Sequence, residues 1–470
     1  MKVHTCLVAS LVALLQISSS SAFQINAGRG GGRGSMAKMP TKNRKMPQAQ
    51  STATESQGGG TATMNQEIFN LVKGIVGAGV LSLPAGIAAF GNAPGAVVPA
   101  VALITIIGSL SAYAFAMIGR VCALTGTTSY RDAWSASVSP KSSWLVAWSV
   151  IFMTMCAILA YSMILGETFQ SIFMTVGYDF SKQTVLGGLS VGVLLPLCLL
   201  KNLSSLAPFS LLGSLGMVYT AVAMGIRYFS KAYIGNGKFA ADIAKNLQPS
   251  FGAIGASGVV NAKASILLGM LSTAFMAHFN APKFYTELEN NTIPRYVKVV
   301  STSFGIAIAI FSLMAALGFL TFGANASGLI LNNYSIKDNL MGISRIAVAV
   351  SLVFSYPLAF VGARDGILDL INVKERSAGL VNTLTVSLLS FITILALNIP
   401  DVSFVMAFGG ATLGSALIYL FPFFMFRGAI NQLKEPTKWQ KREVKIAMGS
   451  AVVGLGMGIV GAVKAVQSIL

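Results

Sequence analysis

From residue 68 onward the chain is a succession of apolar segments of similar length: 68–90, 94–119, 144–172, 184–200, 207–229, 264–284, 297–322, 341–363, 377–398, 403–426 and 446–467. A helix rises 1.5 Å per residue, so roughly 20 residues cross the ~30 Å hydrocarbon layer of a bilayer. Lipid offers no partners to backbone N–H and C=O groups, which leaves helices as the spanning structure for segments of this length. The expected fold is therefore an all-α membrane protein with eleven transmembrane helices and the lipid bilayer as its solvent. Only 10% of residues are charged, against about one-quarter in an ordinary soluble domain.

The charges fall between the segments and set an orientation. Loops on the amino-terminal side hold 16 Lys and Arg, six of them between 427 and 445; the opposite loops hold 6. The positive-inside rule then puts the amino terminus on the cytoplasm-equivalent side. The net charge of +18 does not mark a nucleic-acid binder, because no basic run carries interleaved aromatics. The opposite-side loop 230–263 is long and Gly-rich and reads as a lid with short helical pieces. Sequons at Asn325 and Asn333 fall on the same side, open to glycosylation if the loop passes through a secretory lumen.

The first 63 residues form a separate region. Residues 1–22 have a basic tip, a short apolar run and a small-residue end, which is the build of a signal peptide. Residues 23–63 are basic, nearly acid-free and rich in Gly, Ser and Thr, and cannot build a core. The join "SSAF", with Phe23 after the cut, resembles the cleavage motif of plastid-targeted proteins in algae with secondary plastids. The destinations are a plastid envelope or, with a plain secretory signal, the vacuolar or plasma membrane. Residues 64–470 form the transmembrane domain.

The first span contains "NLVKGIVGAGVLSLP" at 70–84, which packs a lysine, three glycines and a proline into a helix in lipid. Backbone that leaves helical geometry survives in a membrane only where protein buries it or a wet cavity receives it. Gly77 and Gly79 free the backbone, and Pro84 lacks an N–H. The N–H groups of Gly77, Ala78, Gly79, Val80, Leu81 and Ser82 then face a cavity, a geometry suited to a carboxylate. A small-residue packing face is the alternative. The sixth span, "GMLSTAFMAHFNAPKFYTELE", repeats the plan with Gly269, Ser272 and Thr273 followed by Pro282. Two such spans, five apart, fit a five-plus-five inverted repeat with one helix appended.

These motifs resemble the amino acid/auxin permease (AAAP) family. The resemblance is carried by "NLVKGIVGAGVLSLPAG", "LPLCLLKNLSSLAPFSLLG" at 195–213, "AHFNAPKFYTELE" at 277–289, "GFLTFG" at 318–323, "RIAVAVSLVFSYPLAFVGARDGI" at 345–367 and "AFGGATLGSALIYLFP" at 407–422, in order. It implies a LeuT-type fold and secondary transport of amino acids by alternating access. Substrate would lie between the broken first and sixth spans, with the third and eighth as scaffold. In sodium-coupled relatives an asparagine stands where this chain has Lys73. Aligning the eighth span puts Ser355 at the hydroxyl that completes the sodium site, with Ser351 one turn before. A lysine ammonium there would replace the sodium, so the resemblance implies a sodium-independent, proton-linked symporter. Alternatively Lys73 snorkels to the interface.

Four further residues stand out. Tyr161 is a candidate cover over the substrate or a core tyrosine. Phe275 is a candidate gate. Glu167 and His278 are candidate proton carriers; the alternatives are a water-interface carboxylate and a structural hydrogen bond to a helix end. A channel would need a polar stripe or a ring of like charges, and an intramembrane enzyme would need clustered catalytic or metal-binding groups; neither pattern is present. No metal and no cofactor are expected. Cysteines at 6, 122, 156 and 198 have no pairing motif and read as free thiols. A sensor that has lost transport on the same fold is the remaining alternative. A monomer is the expected state.

Overall fold

The computed structural model describes residues 60–200, 207–371, 373 and 375–468. The signal and transit expectations therefore fall outside the described residues. Among the described residues eight helices are long and apolar enough to cross a membrane: Pro94–Thr125, Pro140–Thr175, Ala264–Glu287, Ile293–Phe322, Asn339–Leu370, Ala378–Asn398, Val402–Asn431 and Lys438–Gln467. A ninth is the bent pair Met64–Ile75 and Ala78–Ala88, angled by 42°. Shorter apolar helices, Lys182–Cys198 and Leu215–Phe229, stand where the fourth and fifth spans are expected.

We label the elements α1 (Met64–Ile75), α2 (Ala78–Ala88), α3 (Val97–Thr125), α4 (Tyr130–Ser137), α5 (Ser143–Thr175), α6 (Lys182–Cys198), α7 (Ala207–Phe229), α8 (Ala264–Ala274), α9 (Ala281–Glu287), α10 (Ile293–Phe322), α11 (Asn339–Leu370), α12 (Ala378–Asn398), α13 (Val402–Asn431) and α14 (Lys438–Gln467). α1 starts earlier than hydropathy suggests because Thr63 and Gln66 form a reciprocal capping box. Such a box satisfies two of the N–H groups that every helix start leaves unpaired.

α10 is the central post, packed against α1, α2 and α3, while α11 packs against α5 and α7. Close approach of α8 to α13 depends on two glycines. A methyl on Gly269 would lie 2.5 Å from the Ala407 carbonyl oxygen, and one on Gly410 would lie 1.9 Å from the Gly269 oxygen. α13 itself departs from α geometry at Thr412 (φ −87°, ψ −108°), within a widened turn over Gly410–Gly414.

The loop between α7 and α8 has three 3₁₀ turns, Ala240–Asp242, Lys245–Leu247 and Ala256–Val260, which is the expected lid of short helical pieces. It is stapled down. Asn92 and Ile254 exchange two hydrogen bonds of 2.8 Å, the Ala93 N–H donates to the same Ile254 carbonyl at 2.9 Å, and Ser250 pairs with Phe322 and Ala324. Asn333 is fully buried, accepting from the Ser327 N–H and hydroxyl and donating to the carbonyls of Leu247 and Asn325. Asn325 donates to the Gln248 carbonyl. Both sequon side chains are thus structural members of the cap.

Beneath the lid Asp338 gathers an ionic cluster. Its carboxylate accepts two hydrogen bonds from Arg227 at 2.8 and 2.7 Å and one from the Tyr233 hydroxyl at 2.8 Å, and it caps α11. Arg345, buried beside it, donates to the carbonyls of Leu331, Tyr334 and Ser335. Burial and then the neighbouring Asp338 carboxylate push the Tyr233 phenol well up from its ordinary range, so it acts as a donor throughout.

Candidate functional site between the broken spans

α1 ends because Val76 (φ −81°, ψ 86°) leaves helical geometry in a tight turn and Gly77 (φ −116°, ψ −173°) is extended. The Gly77 N–H turns back to the Ile75 carbonyl (3.0 Å), and the Val80 N–H reaches the Gly77 carbonyl (3.3 Å). Among the described residues this leaves the N–H groups of Ala78 and Gly79 without an acceptor, at the positive end of α2. The sixth span breaks likewise. α8 ends at Ala274, and a 3₁₀ turn at His278–Asn280 leads into α9, whose Pro282 sits in the first turn. The end of α8 therefore approaches the break in the first span, with the Ala274 Cα 4.0 Å from where a methyl on Gly79 would stand.

A cavity of about 500 Å³ opens between the two breaks. Its further walls are α5, from Val150 to Ile164, and α11, at Leu358, Ala359 and Gly362. Among the described residues no charged side chain lines it; the polar side chains are Thr154, Tyr161, Thr273 and Asn280. An ion pair such as an amino acid zwitterion would have to be met by backbone dipoles. The cavity extends along the halves of α5 and α11 nearest the amino-terminal side. Toward the opposite side it is sealed: Val80 and Leu81 are fully buried, and Pro84 is wedged against Gly318.

Of the expected substrate residues, Gly77, Ala78, Gly79, Val80, Tyr161 and Thr273 line this cavity. Thr273 donates its hydroxyl hydrogen to the Met406 carbonyl at 2.6 Å. The others stand elsewhere. Leu81 and Ser82 are buried behind the break. Ser272 is buried and donates to the Leu268 carbonyl. Phe275 points away from the cavity, into a ring cluster with Phe304 and Phe311, and Met276 takes the wall position.

Lys73 occupies the last turn of α1, half-buried, where the unpaired carbonyls of a helix end favour a cation. Among the described residues it has no ion-pair or hydrogen-bond partner, and neither Ser351 nor Ser355 bonds to it. Ser351 faces Gly213 on α7 instead; a methyl on Gly213 would lie 2.0 Å from its Oγ. Ser355 lies one turn from Ala359, on the cavity side of α11. Glu167 accepts from Lys182 and from Asn332, each at 2.8 Å, at the capped end of α5. His278 is fully buried, with Nε2 3.0 Å from the Ser111 carbonyl oxygen and its ring against Phe115 and Phe304.

One residue escaped the sequence reading. Glu67, in the first turn of α1, is 1% exposed. It shares a stripe with Leu71 and Ile75 at i, i+4 and i+8, the spacing of one helix face. That spacing was the available signal, and placing the span at 68 hid it.

Two broken spans facing each other across a mid-protein cavity form the architecture of secondary transporters. Residues 60–467 match the family described as transmembrane amino acid transporter protein. The chain belongs to that family. Its relatives include "Putative sodium-coupled neutral amino acid transporter 11" of Mus musculus, 22% identical over 372 residues covering 77% of each chain. The protein of the same name from Danio rerio is 24% identical over 414 residues, covering 86% of each. Among solved structures, the inward-facing conformation of Mhp1 superposes with a TM-score of 0.58 at 10% identity, over 89% of this chain and 93% of that one. MhsT in complex with L-phenylalanine superposes with a TM-score of 0.50 at 11% identity, over 87% and 99%. The fold is therefore all-helical and LeuT-like, and the protein is a multi-pass membrane transporter rather than an enzyme.

Proposed function

We propose that this protein carries a free α-amino acid by alternating access, linked to protons and independent of sodium. The observation that carries the reading is the pair of unsatisfied N–H groups, Ala78 and Gly79, opposite the α8 carbonyl end across an uncharged cavity. The substrate carboxylate sits on the first and its ammonium on the second. Tyr161 and Thr273 close the sides. Lys73 stands in for sodium, meeting Ser355 when α1 swings toward α11. The relatives are named for sodium coupling, and the lysine is this chain's reason to differ from them.

In this reading the bent pair and the two short helices make eleven spans, arranged as five plus five plus one. The amino terminus lies on the cytoplasm-equivalent side, and the protein works as a monomer. Residues 1–22 and 23–63 are a two-part address to a plastid envelope. A fluorescent protein fused behind residues 1–63 reports the destination in an algal host, and secretion of that fusion would leave a plain signal peptide.

The test is uptake into proteoliposomes under imposed pH or sodium gradients. A free amino acid should compete for uptake, while its amide, lacking the charge, should compete poorly; equal competition would remove the carboxylate site. Lys73→Met should lower uptake on the order of 10-fold, equivalent to ~1.4 kcal/mol. Near-normal uptake by that variant would make Lys73 an interfacial lysine, and a sodium-driven signal in the unmodified protein would overturn the coupling. Binding without uptake would identify a sensor.

A further inference from the structure

The proton linkage proposed above, on which this inference rests, lacks a carrier in the positions expected for one. Glu167 is held by Lys182 and Asn332, and His278 is packed among rings away from the cavity. A third acid has neither partner nor solvent. Both carboxylate oxygens of Glu67 are buried, and neither has a hydrogen-bond partner among the described residues. Among the described residues the two other buried acids are paired: Asp338 with Arg227 and Glu443 with Arg120. Burying an isolated carboxylate is costly, and such a group escapes the cost by holding a proton.

The surroundings make this burial conditional. α10 packs over the stripe of Glu67, Leu71 and Ile75, and Ser303 of α10 donates to the Ile68 carbonyl. Tyr296 of α10 lies near Glu67, but its hydroxyl is directed to the carbonyls of Phe115 and Ala281. The Arg295 guanidinium of the same helix makes no bond to Glu67. From α9, Lys283 and Glu287 act on it only through space; they face water and pair with each other at 3.8 Å.

α1 is also built as a lever. A strap ahead of it is pinned to the end of α9, with the Gly60 N–H on the Thr286 carbonyl, the Ala62 N–H on the Glu287 carbonyl and the Glu289 N–H on the Ala62 carbonyl. Its other end is the break at Gly77. Gly74 and Ile75 form one wall of the cavity. Closing that cavity on the amino-terminal side draws α1 toward α5 and α11, and so away from α10.

We propose that Glu67 is the proton-binding switch of the cycle: it holds a proton while α1 lies against α10 and the amino-terminal side is open, and yields it to water when α1 moves off. Proton binding then favours the state seen here. A single proton changes the ratio of two states by at most about tenfold per pH unit.

The test measures the distance between spin labels at Asn70 on α1 and Ile371 at the end of α11, in full-length protein with its four cysteines replaced. Acidification should raise the open population several-fold in the otherwise unmodified protein. Glu67→Gln should stay in the open population at every pH. Glu67→Met, apolar and of similar length, serves the same purpose if the amide does not fold. A pH-dependent shift that persists in either folded variant, or no shift in the unmodified protein, overturns the assignment. The uptake assay separates this from the proposal beneath it. If the labels respond through Glu67 but a pH gradient drives no uptake, the switch stands and proton-driven transport falls.

Discussion

The two faces of the transporter are held by different forces. The capped face rests on densely paired polar groups: Asp338 with Arg227 and Tyr233, Arg345 with three carbonyls, and Asn333 through four hydrogen bonds. The amino-terminal face has an open cavity, a lysine without a partner and a half-helix seated by an apolar stripe that includes an unpaired acid. Densely paired buried networks over-determine one arrangement, whereas mostly apolar contact, crossed here by the Ser303 bond to Ile68, lets a helix move. The difference assigns rigidity to the cap and mobility to α1.

The largest break in that contrast should come from Asp338→Ala. It leaves Arg227 and Tyr233 without their acceptor and uncaps α11, and removing one partner of a buried pair costs ~3–5 kcal/mol. Thermal unfolding in detergent should fall steeply, and an unchanged midpoint would show that the cap is not the stable face. Next come two glycines. Gly410→Ala drives a methyl into the Gly269 carbonyl and should cost ~1–3 kcal/mol by overpacking. Gly77→Ala meets nothing within 4 Å and has a φ any residue adopts, so stability should change by under ~0.5 kcal/mol while the added methyl weakens substrate binding. Comparing unfolding with binding in both variants checks whether tight packing and open space are divided as described. Smallest is Glu167→Gln. Its pairing with Lys182 is partly solvated, and such pairs contribute ~0.2–1 kcal/mol. Uptake should stay near normal; a collapse of pH-driven uptake alone would return Glu167 to the role of proton carrier.

Much of the framework was legible because its causes are local. Gly-Ala-Gly followed by proline in an apolar run admits few solutions in lipid, and the structure breaks there. What lay outside local pattern was not legible. Hydropathy placed the first span from 68 and so excluded Glu67, although a capping box starting at Thr63 extends the helix through it. Phe275 and Met276 are neighbours at a broken helix end, and which one faces the cavity depends on the turn geometry there. Asp338 sits in polar loop sequence that reads as surface, and only the folded lid buries it.

The buried Asn333 has a consequence for the history of the chain. Oligosaccharide transfer acts on extended polypeptide, and a sugar on this amide would occupy the space where Ser327 and the Leu247 and Asn325 carbonyls meet it. The modified chain and the closed cap exclude each other. If synthesis passes through a glycosylating compartment, maturation becomes a race between cap formation and the transferase, and a sugar at Asn333 marks the molecules that lost it.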